Sequence, residues 1–160
     1  MDAREQAEQE AAIVRAVAAN VADVMDGEWG MREWLHLFVD FEIDASGERS
    51  STICFALARH QGEPVEKIAF RLPYAAKQIL ATLAGGMALH NGDRWTVVRI
   101  RIERDGRFTF DYGYEAPYRL GGALIDTRYE DYLKQWLERD TEARGPPRSG
   151  WRKWLGRGRE

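Results

Sequence analysis

The stretch WTVVRIRIERDGRFTFDYGYE, residues 95–115, is the part of the chain that decides the fold. Apolar and polar residues alternate on both sides of Arg104-Asp105-Gly106, a pattern that predicts two strands joined as a hairpin. A two-residue loop would pair Ile100 with Asp111 and would therefore mix apolar and charged side chains on both faces. A three-residue loop, with its glycine left-handed and forming a bulge, pairs Ile100 with Phe110 instead. We therefore predict the three-residue loop.

This register separates an apolar face of the hairpin from a polar face. On the polar face Arg99 lies opposite Asp111, and Glu115 follows Asp111 on the same side of the strand. These two acids are roughly 13 Å apart at about 3.3 Å per residue. A glycosidase carboxylate pair needs about 5–9.5 Å, so we do not expect a catalytic pair here. The aromatic residues of the second strand share the apolar face and are assigned to the core: Phe108, Phe110, Tyr112 and Tyr114.

The residues before the hairpin predict a helix and three strands. Apolar residues at spacings of three and four predict a first helix over residues 2–26. Residues 34–43 alternate, and they predict a strand whose odd-numbered side chains face inward. The side chains predicted to face inward from the next two strands are Ile53, Phe55 and Leu57 within Thr52–Ala58, followed by Ile68, Phe70 and Leu72.

Two more helices complete the predicted order α-β-β-β-α-β-β-α. One follows Pro73 and ends either at Gly85-Gly86 or near Asn91-Gly92, and the other spans Tyr129 to Leu137. This order predicts an α+β fold in which helices cover a largely antiparallel sheet. We expect a single domain over residues 1–143, followed by a flexible tail over residues 144–160 that is rich in Gly, Pro, Arg and Trp.

The charges of the chain are distributed unevenly. Residues 144–160 hold six basic residues and one acidic residue, which leaves 17 basic and 25 acidic residues, or a net charge of −8, in residues 1–143. An acidic body disfavours nucleic-acid binding and attracts basic partners. The single cysteine, Cys54, is typical of a reducing compartment. The sequence has neither an apolar run near 18 residues nor an export signal, so we expect a cytoplasmic protein that does not bind membranes.

The residue types that carry catalysis do not form a recognisable pattern in this sequence. His36, His60 and His90 are scattered without a second ligand at metal-binding spacing, and His36 is interpreted as a surface residue. Cys54 has no basic neighbour and is interpreted as a small structural residue. No phosphate-binding loop or nucleophile motif opens a helix. We therefore predict no catalytic residues, no metal site and no cofactor.

Several short motifs together indicate a family. They are a long first helix leading into Glu28-Trp29, Trp95 at a strand start, Asp105-Gly106-Arg-Phe108, Asp111-Tyr112-Gly-Tyr114-Glu115, and a final helix carrying Tyr129 to Trp136. With these motifs the chain resembles the YezG-like family of bacterial immunity or antitoxin proteins over roughly residues 10–138. The resemblance implies a small cytoplasmic inhibitor that binds and neutralises a toxin, often a nuclease, without catalysis or a cofactor.

The acidic body and the resemblance lead to the hypothesis of a non-catalytic immunity protein that masks the active surface of a cognate toxin. A nuclease toxin presents basic residues for phosphate, which acidic side chains of its inhibitor can imitate. The candidate partner contacts are Asp40, Glu42, Asp44, Asp111 and Glu115. The alternative hypothesis is a small nucleic-acid-associated or enzymatic domain of unknown substrate, in which the basic tail binds nucleic acid weakly through Trp151–Leu155.

Overall fold

The computed structural model of the chain describes residues 1–21 and 32–144. It divides the chain into two units, Met1–Ile125 and Asp126–Glu160. The predicted single domain over residues 1–143 places its boundary later in the chain than this division. The basic tail, apart from its first residue, lies outside the described residues. Among the residues that are described, no helix has both the length and the apolar character needed to cross a membrane.

The eight elements follow the order α-β-β-β-α-β-β-α, which confirms the predicted α+β fold. They are α1 (Ala3–Asn20), β1 (Glu33–Ile43), β2 (Ser50–Arg59), β3 (Glu66–Ala69), α2 (Tyr74–Asn91), β4 (Val97–Glu103), β5 (Phe108–Gly113) and α3 (Tyr132–Arg144). The strands form one antiparallel sheet in the order β3-β2-β1-β4-β5. The central strand is therefore β1, and the two edge strands are β3 and β5.

The β4–β5 hairpin has the predicted register. Ile100 pairs with Phe110, and Arg99 pairs with Asp111. Gly106 has a φ of +95° and donates its N–H to the carbonyl of Glu103. Only glycine adopts such a left-handed conformation at little cost, which is why the loop closes at this residue. The separation of apolar and charged faces was therefore sufficient to choose the loop length.

Helices α1 and α2 contribute to a core on one face of the sheet. Ile13 and Val17 of α1, together with Leu80 and Leu83 of α2, belong to one buried cluster. The residues of β1 in the same cluster are Leu37, Val39, Phe41 and Ile43. The prediction for β2 was wrong, because Cys54, Ala56 and Ala58 belong to this cluster, whereas Ile53, Phe55 and Leu57 lie on the opposite face. Every residue from Ile53 to Ala58 is apolar, so alternation alone could not choose the inward side.

The central strand β1 is buried on both of its faces. From His36 to Ile43 every side chain is buried, including those that alternate away from α1 and α2. The prediction of a surface His36 was therefore wrong: its side chain is 2% exposed, and its Nδ1 lies 3.0 Å from a carboxylate oxygen of Glu103. The register of β1 against β2 shifts between Trp34 and His36, so Leu35 does not continue the predicted alternation.

The ends of the helices follow from local chemistry. In α1, the Asp2 carboxylate accepts the Glu5 N–H and the Glu5 carboxylate accepts the Asp2 N–H, forming a capping box. The predicted end of this helix at residue 26, and the motif Glu28-Trp29, lie outside the described residues. Of the two predicted ends of α2 the later one is confirmed, because the helix continues to Asn91 and Gly92 caps it with a φ of +91°.

Two predicted elements have different bounds in the structure. The third strand ends at Ala69, and Phe70 and Leu72 are buried beyond its end. The last helix begins at Tyr132 rather than Tyr129. In the same unit the Arg128 guanidinium lies 2.7 Å from the Asp126 carboxylate, so this local ion pair occupies the residues just before the helix.

Candidate functional site

Two of the five predicted contact acids lie in the central strand. Asp40 and Glu42 alternate onto the face of β1 that points away from α1 and α2, as the sequence indicated. Their side chains are 0% and 1% exposed, respectively. A buried carboxylate is costly unless a cation or several hydrogen bonds compensate the lost hydration. The surroundings of these two residues therefore determine what they do.

The compensating cation is Arg119, from the segment that follows β5. Its Nη2 lies 3.0 Å from Oδ1 of Asp40, and its Nη1 lies 3.5 Å from Oε2 of Glu42. The same guanidinium donates from Nε to the Ser51 hydroxyl at 2.8 Å and from Nη2 to the Ser51 carbonyl at 3.0 Å. Arg119 is itself 10% exposed. The planar guanidinium thus joins β1 and β2 to a distant part of the chain.

Backbone groups complete the coordination of Glu42. Its carboxylate accepts the N–H groups of Tyr118, Arg119 and Leu120 at 3.0–3.2 Å. Three consecutive N–H groups converge on one carboxylate, an arrangement that binds anions well. This set of contacts, which we call the Arg119 anchor, consists of Arg119 and its partners Asp40, Glu42 and Ser51. It fixes the segment around residues 118–120 against the sheet.

The Arg119 anchor changes the interpretation of Asp40 and Glu42 as partner contacts. Both acids are buried and satisfied inside the same unit, so neither is accessible to a partner in this structure. The sequence analysis missed Arg119 because it lies in an irregular segment, where no periodicity indicates where a side chain points. The available signal was the pair of acids on one face of an otherwise apolar strand, since such a pair requires a cation nearby.

Asp44 occupies a turn between β1 and β2. Its carboxylate accepts the N–H groups of Arg49 and Glu48 at 3.1 and 3.0 Å, and the Ser46 hydroxyl at 2.9 Å. The hydrogen bond from the Arg49 N–H, with smaller contributions from Ser46 and Glu48, holds the pKa of Asp44 below its usual value. Asp44 is therefore used locally to shape the turn, although it lies close to the surface.

Asp111 and Glu115 differ in the contacts that their carboxylates make within the described residues. The Glu115 carboxylate lies 2.9 Å from Nη2 of Arg99, whose Nε also lies 3.5 Å from Asp40. A Cβ at Gly113 would collide with this carboxylate, so the glycine leaves room for Glu115 to fold back over the sheet. Asp111 is exposed, and within the described residues its side chain makes no hydrogen bond or ion pair, although Arg99 is its register partner.

The aromatic side chains of β5 are only partly buried. Tyr114 was predicted in the core, but it is 53% exposed because β5 ends at Gly113 and the alternation does not extend to it. Phe108 is 37% exposed next to the hairpin turn, so its assignment to the core was also wrong. Tyr112 does pack against the core, and its hydroxyl donates to Glu10 of α1. Burial, and then the Glu10 carboxylate, raise the pKa of Tyr112.

We define the β5 edge as residues 108–115. One side of β5 pairs with β4, and no strand among the described residues pairs with its other side. Within the described part of the chain, the β5 edge therefore combines backbone groups without a strand partner, the exposed aromatic rings of Phe108 and Tyr114, and the carboxylate of Asp111, which has no ion-pair partner there. An exposed edge strand is a surface on which other chains can pair.

The groups that could act as nucleophiles or metal ligands are placed apart. Burial raises the pKa of Cys54 to about 12, so its thiol stays protonated near neutral pH. Within residues 1–21 and 32–144, no three His, Cys, Asp or Glu side chains are arranged to hold a metal ion.

No protein-family model matches the chain, and no curated protein sequence matches it.

Proposed function

We propose that the chain is a non-catalytic immunity protein that binds a cognate protein toxin and masks its active surface. The proposal is supported by the resemblance to the YezG-like family and by the net charge of −8 over residues 1–143. An acidic body accelerates association with a basic partner such as a nuclease, because the opposite charges steer the encounter. The inhibitor then takes the place of the toxin's nucleic-acid substrate, and its acidic side chains occupy the sites of the toxin that would hold phosphate.

The observation that carries the proposal is the β5 edge. Asp111 carries an exposed charge that no other described side chain neutralises, and Phe108 and Tyr114 of the same segment expose aromatic rings. Tyrosine is enriched at the centre of protein interfaces, where it contributes apolar area and a polar hydroxyl. Glu115, held by Arg99, supplies a second acid at the end of the same segment. We therefore place the toxin contact on this edge, with Asp111 and Glu115 as its acidic contacts.

The proposal is tested first by identifying the partner. We expect the protein that co-purifies from native lysate, or the product of the adjacent gene, to be toxic when expressed alone and harmless when co-expressed with this chain. Neutralisation is measured as colony formation, and binding is measured with the purified pair. A partner without toxicity, such as a metabolic enzyme, would contradict the immunity function whatever surface it binds.

The contact surface is tested separately by reversing one charge. Asp111→Lys places a cation against the basic partner, so we expect the affinity to fall by at least about tenfold and the association rate to depend less strongly on salt. Glu63→Lys is the matched control, because Glu63 is exposed in the loop between β2 and β3. If Asp111→Lys neutralises the toxin at full strength, the toxin does not contact this edge.

The alternative function depends on the basic tail. Deleting residues 145–160 removes five basic residues from the chain and leaves α3 complete. A nucleic-acid-associated protein would lose salt-dependent nucleic-acid binding on this deletion, whereas its protein partner would remain bound. We expect the deletion to leave toxin neutralisation unchanged, since the β5 edge does not include the tail.

A further inference from the structure

A second surface feature, separate from the β5 edge, is a cleft next to β2. It has a volume of about 480 Å³ and lies between β2, the segment that follows β3, and the first turn of α2. This volume is within the range of about 300–1,000 Å³ that is typical of small-molecule sites. We call it the β2–α2 cleft. The residues that matter for its chemistry are Ser50, Thr52, Cys54, Phe70, Arg71 and Lys77.

The polar side chains of the β2–α2 cleft lack partners among the described residues. Arg71 and Lys77 form no ion pair there, and the hydroxyls of Ser50 and Thr52 form no side-chain hydrogen bond. Arg119, by contrast, has a partner for each of its nitrogen atoms. Two cations that form no ion pair within the described residues contribute a positive potential, which the low-dielectric walls of the cleft strengthen. The cleft therefore attracts anions although the unit as a whole is acidic.

The first turn of α2 adds charge of the same sign. Pro73 occupies the N-cap position and makes no side-chain hydrogen bond to the helix, and the first turn contains no acidic residue. The free N–H groups at a helix N-terminus carry a partial positive charge. Lys77 lies one turn into α2, so its ammonium group and the helix terminus act in the same region.

We propose that the β2–α2 cleft binds a small molecule carrying a doubly charged oxyanion of the phosphate-monoester type. Arg71 and Lys77 supply the two positive charges that such a dianion requires, and the hydroxyls of Ser50 and Thr52 donate hydrogen bonds to its oxygen atoms. Phe70 provides an apolar wall for the remainder of the molecule. This site does not depend on the proposed toxin contact, because the β5 edge contributes no residue to it.

The alkylation rate of Cys54 can be used to measure whether the site is occupied. It is the single cysteine of the sequence and it lines the cleft. Burial raises the pKa of Cys54 to about 12, and the ammonium group of Lys77, which lines the same cleft, acts in the opposite direction. A bound dianion both covers the thiol and offsets the effect of Lys77. The alkylation rate of Cys54 therefore decreases when the site is filled.

The test uses the full-length protein and inorganic phosphate as the probe, at constant ionic strength maintained with chloride. We expect amide NMR shifts that saturate and are concentrated at Thr52, Cys54, Arg71 and Lys77, together with slower alkylation of Cys54. A phosphate monoester such as glycerol 2-phosphate should bind at the same amides. Shifts that chloride reproduces, or the lack of saturation in this region, would overturn the proposal.

Substitutions then test which side chains of the β2–α2 cleft bind the phosphate. Lys77→Gln should weaken phosphate binding by at least about tenfold, as expected when a charge-assisted contact is lost. Thr52→Val keeps the shape of the side chain but removes the donor, and it should weaken binding by a smaller factor. Lys134→Gln, on α3, is the matched control and should bind as the unchanged chain does. Equal affinity in the Lys77→Gln and Lys134→Gln proteins would overturn the assignment even if phosphate binds.

Discussion

Asp40 and Asp111 lie on the same face of one sheet, two strands apart, and their surroundings are opposite. Asp40 lies in the central strand, is fully buried, and is paired with Arg119 and Arg99. Asp111 lies in the edge strand, is exposed, and makes no such contact within the described residues. The alternation that placed both residues on one face does not distinguish them.

The difference shows that the position of a strand in its sheet determines what an acidic residue can do. In β1, neighbours on both sides exclude water, so Asp40 and Glu42 need a cation from elsewhere in the chain, and the Arg119 anchor supplies it. At the edge, water hydrates the carboxylate and no partner is needed. Acids of the central strand therefore stabilise the fold, whereas the acid of the edge strand remains available for binding.

The largest effect on the free energy of unfolding is expected when the cation of the Arg119 anchor is removed. Arg119→Met leaves Asp40 and Glu42 buried beside an apolar side chain, and we expect a loss of about 3–5 kcal/mol in the free energy of unfolding. Chemical denaturation monitored by tryptophan fluorescence measures this loss. The large effect arises because the two buried carboxylates lose the cation they share, and not because of the lost volume.

Two controls separate these causes. Arg107→Met removes an arginine from an exposed pair with Asp105 and should change the stability by less than about 1 kcal/mol. Adding Asp40→Asn and Glu42→Gln to Arg119→Met removes the buried charges, so part of the lost stability should return. If Arg119→Met costs no more than Arg107→Met, the anchor is not a buried ion-pair network.

An intermediate effect on the free energy of unfolding is expected at Tyr112, on the core-facing side of β5. Tyr112→Phe removes the hydroxyl that donates to Glu10, so we expect a loss of about 1 kcal/mol in the free energy of unfolding. Tyr114→Phe is the matched control, since Tyr114 is exposed and should change stability by less than about 0.5 kcal/mol. Equal losses in the two variants would show that the hydrogen bond to α1 contributes nothing to the attachment of β5.

The smallest effect on stability is expected at Asp111. Asp111→Asn keeps the shape of an exposed side chain that lacks an ion-pair partner among the described residues, so stability should change by less than about 0.5 kcal/mol. Thermal unfolding of the purified protein measures this change. A loss of more than about 1 kcal/mol would show that the Arg99–Asp111 pair contributes to folding, and the contrast with Asp40 would then disappear.

Much of the fold was predictable because its signals are local. The order of the elements, the loop of the β4–β5 hairpin and the later end of α2 each follow from residues close together in the sequence. The inward side of β2 was not predictable, because Ile53–Ala58 is apolar at every position and the pairing of Val39 with Cys54 decides it. That pairing is a tertiary property, which overrides the local pattern.

The candidate site was predicted less completely than the fold. Asp111 was correctly placed on the polar face. Whether Asp40 and Glu42 are buried or exposed depended on Arg119, whose hydrogen bonds to them span 77 to 79 residues of sequence. The β2–α2 cleft was missed for a related reason. Its cations, Arg71 and Lys77, lie on a connection and a helix, whereas Ser50 and Thr52 lie on a strand. Only the folded chain brings these residue types together.

The strand order has a consequence for the way the chain folds. Three pairs of neighbours in the sheet, β1–β2, β2–β3 and β4–β5, are joined by short connections. The contact between β1 and β4, in contrast, joins residues as far apart as His36 and Glu103, separated by 67 positions. Closing that loop costs more chain entropy than closing any of the short connections. If the β1–β2–β3 strands and the β4–β5 hairpin form first, this cost arises once, when β4 docks along β1, and the rate of folding is then set by this single long-range encounter.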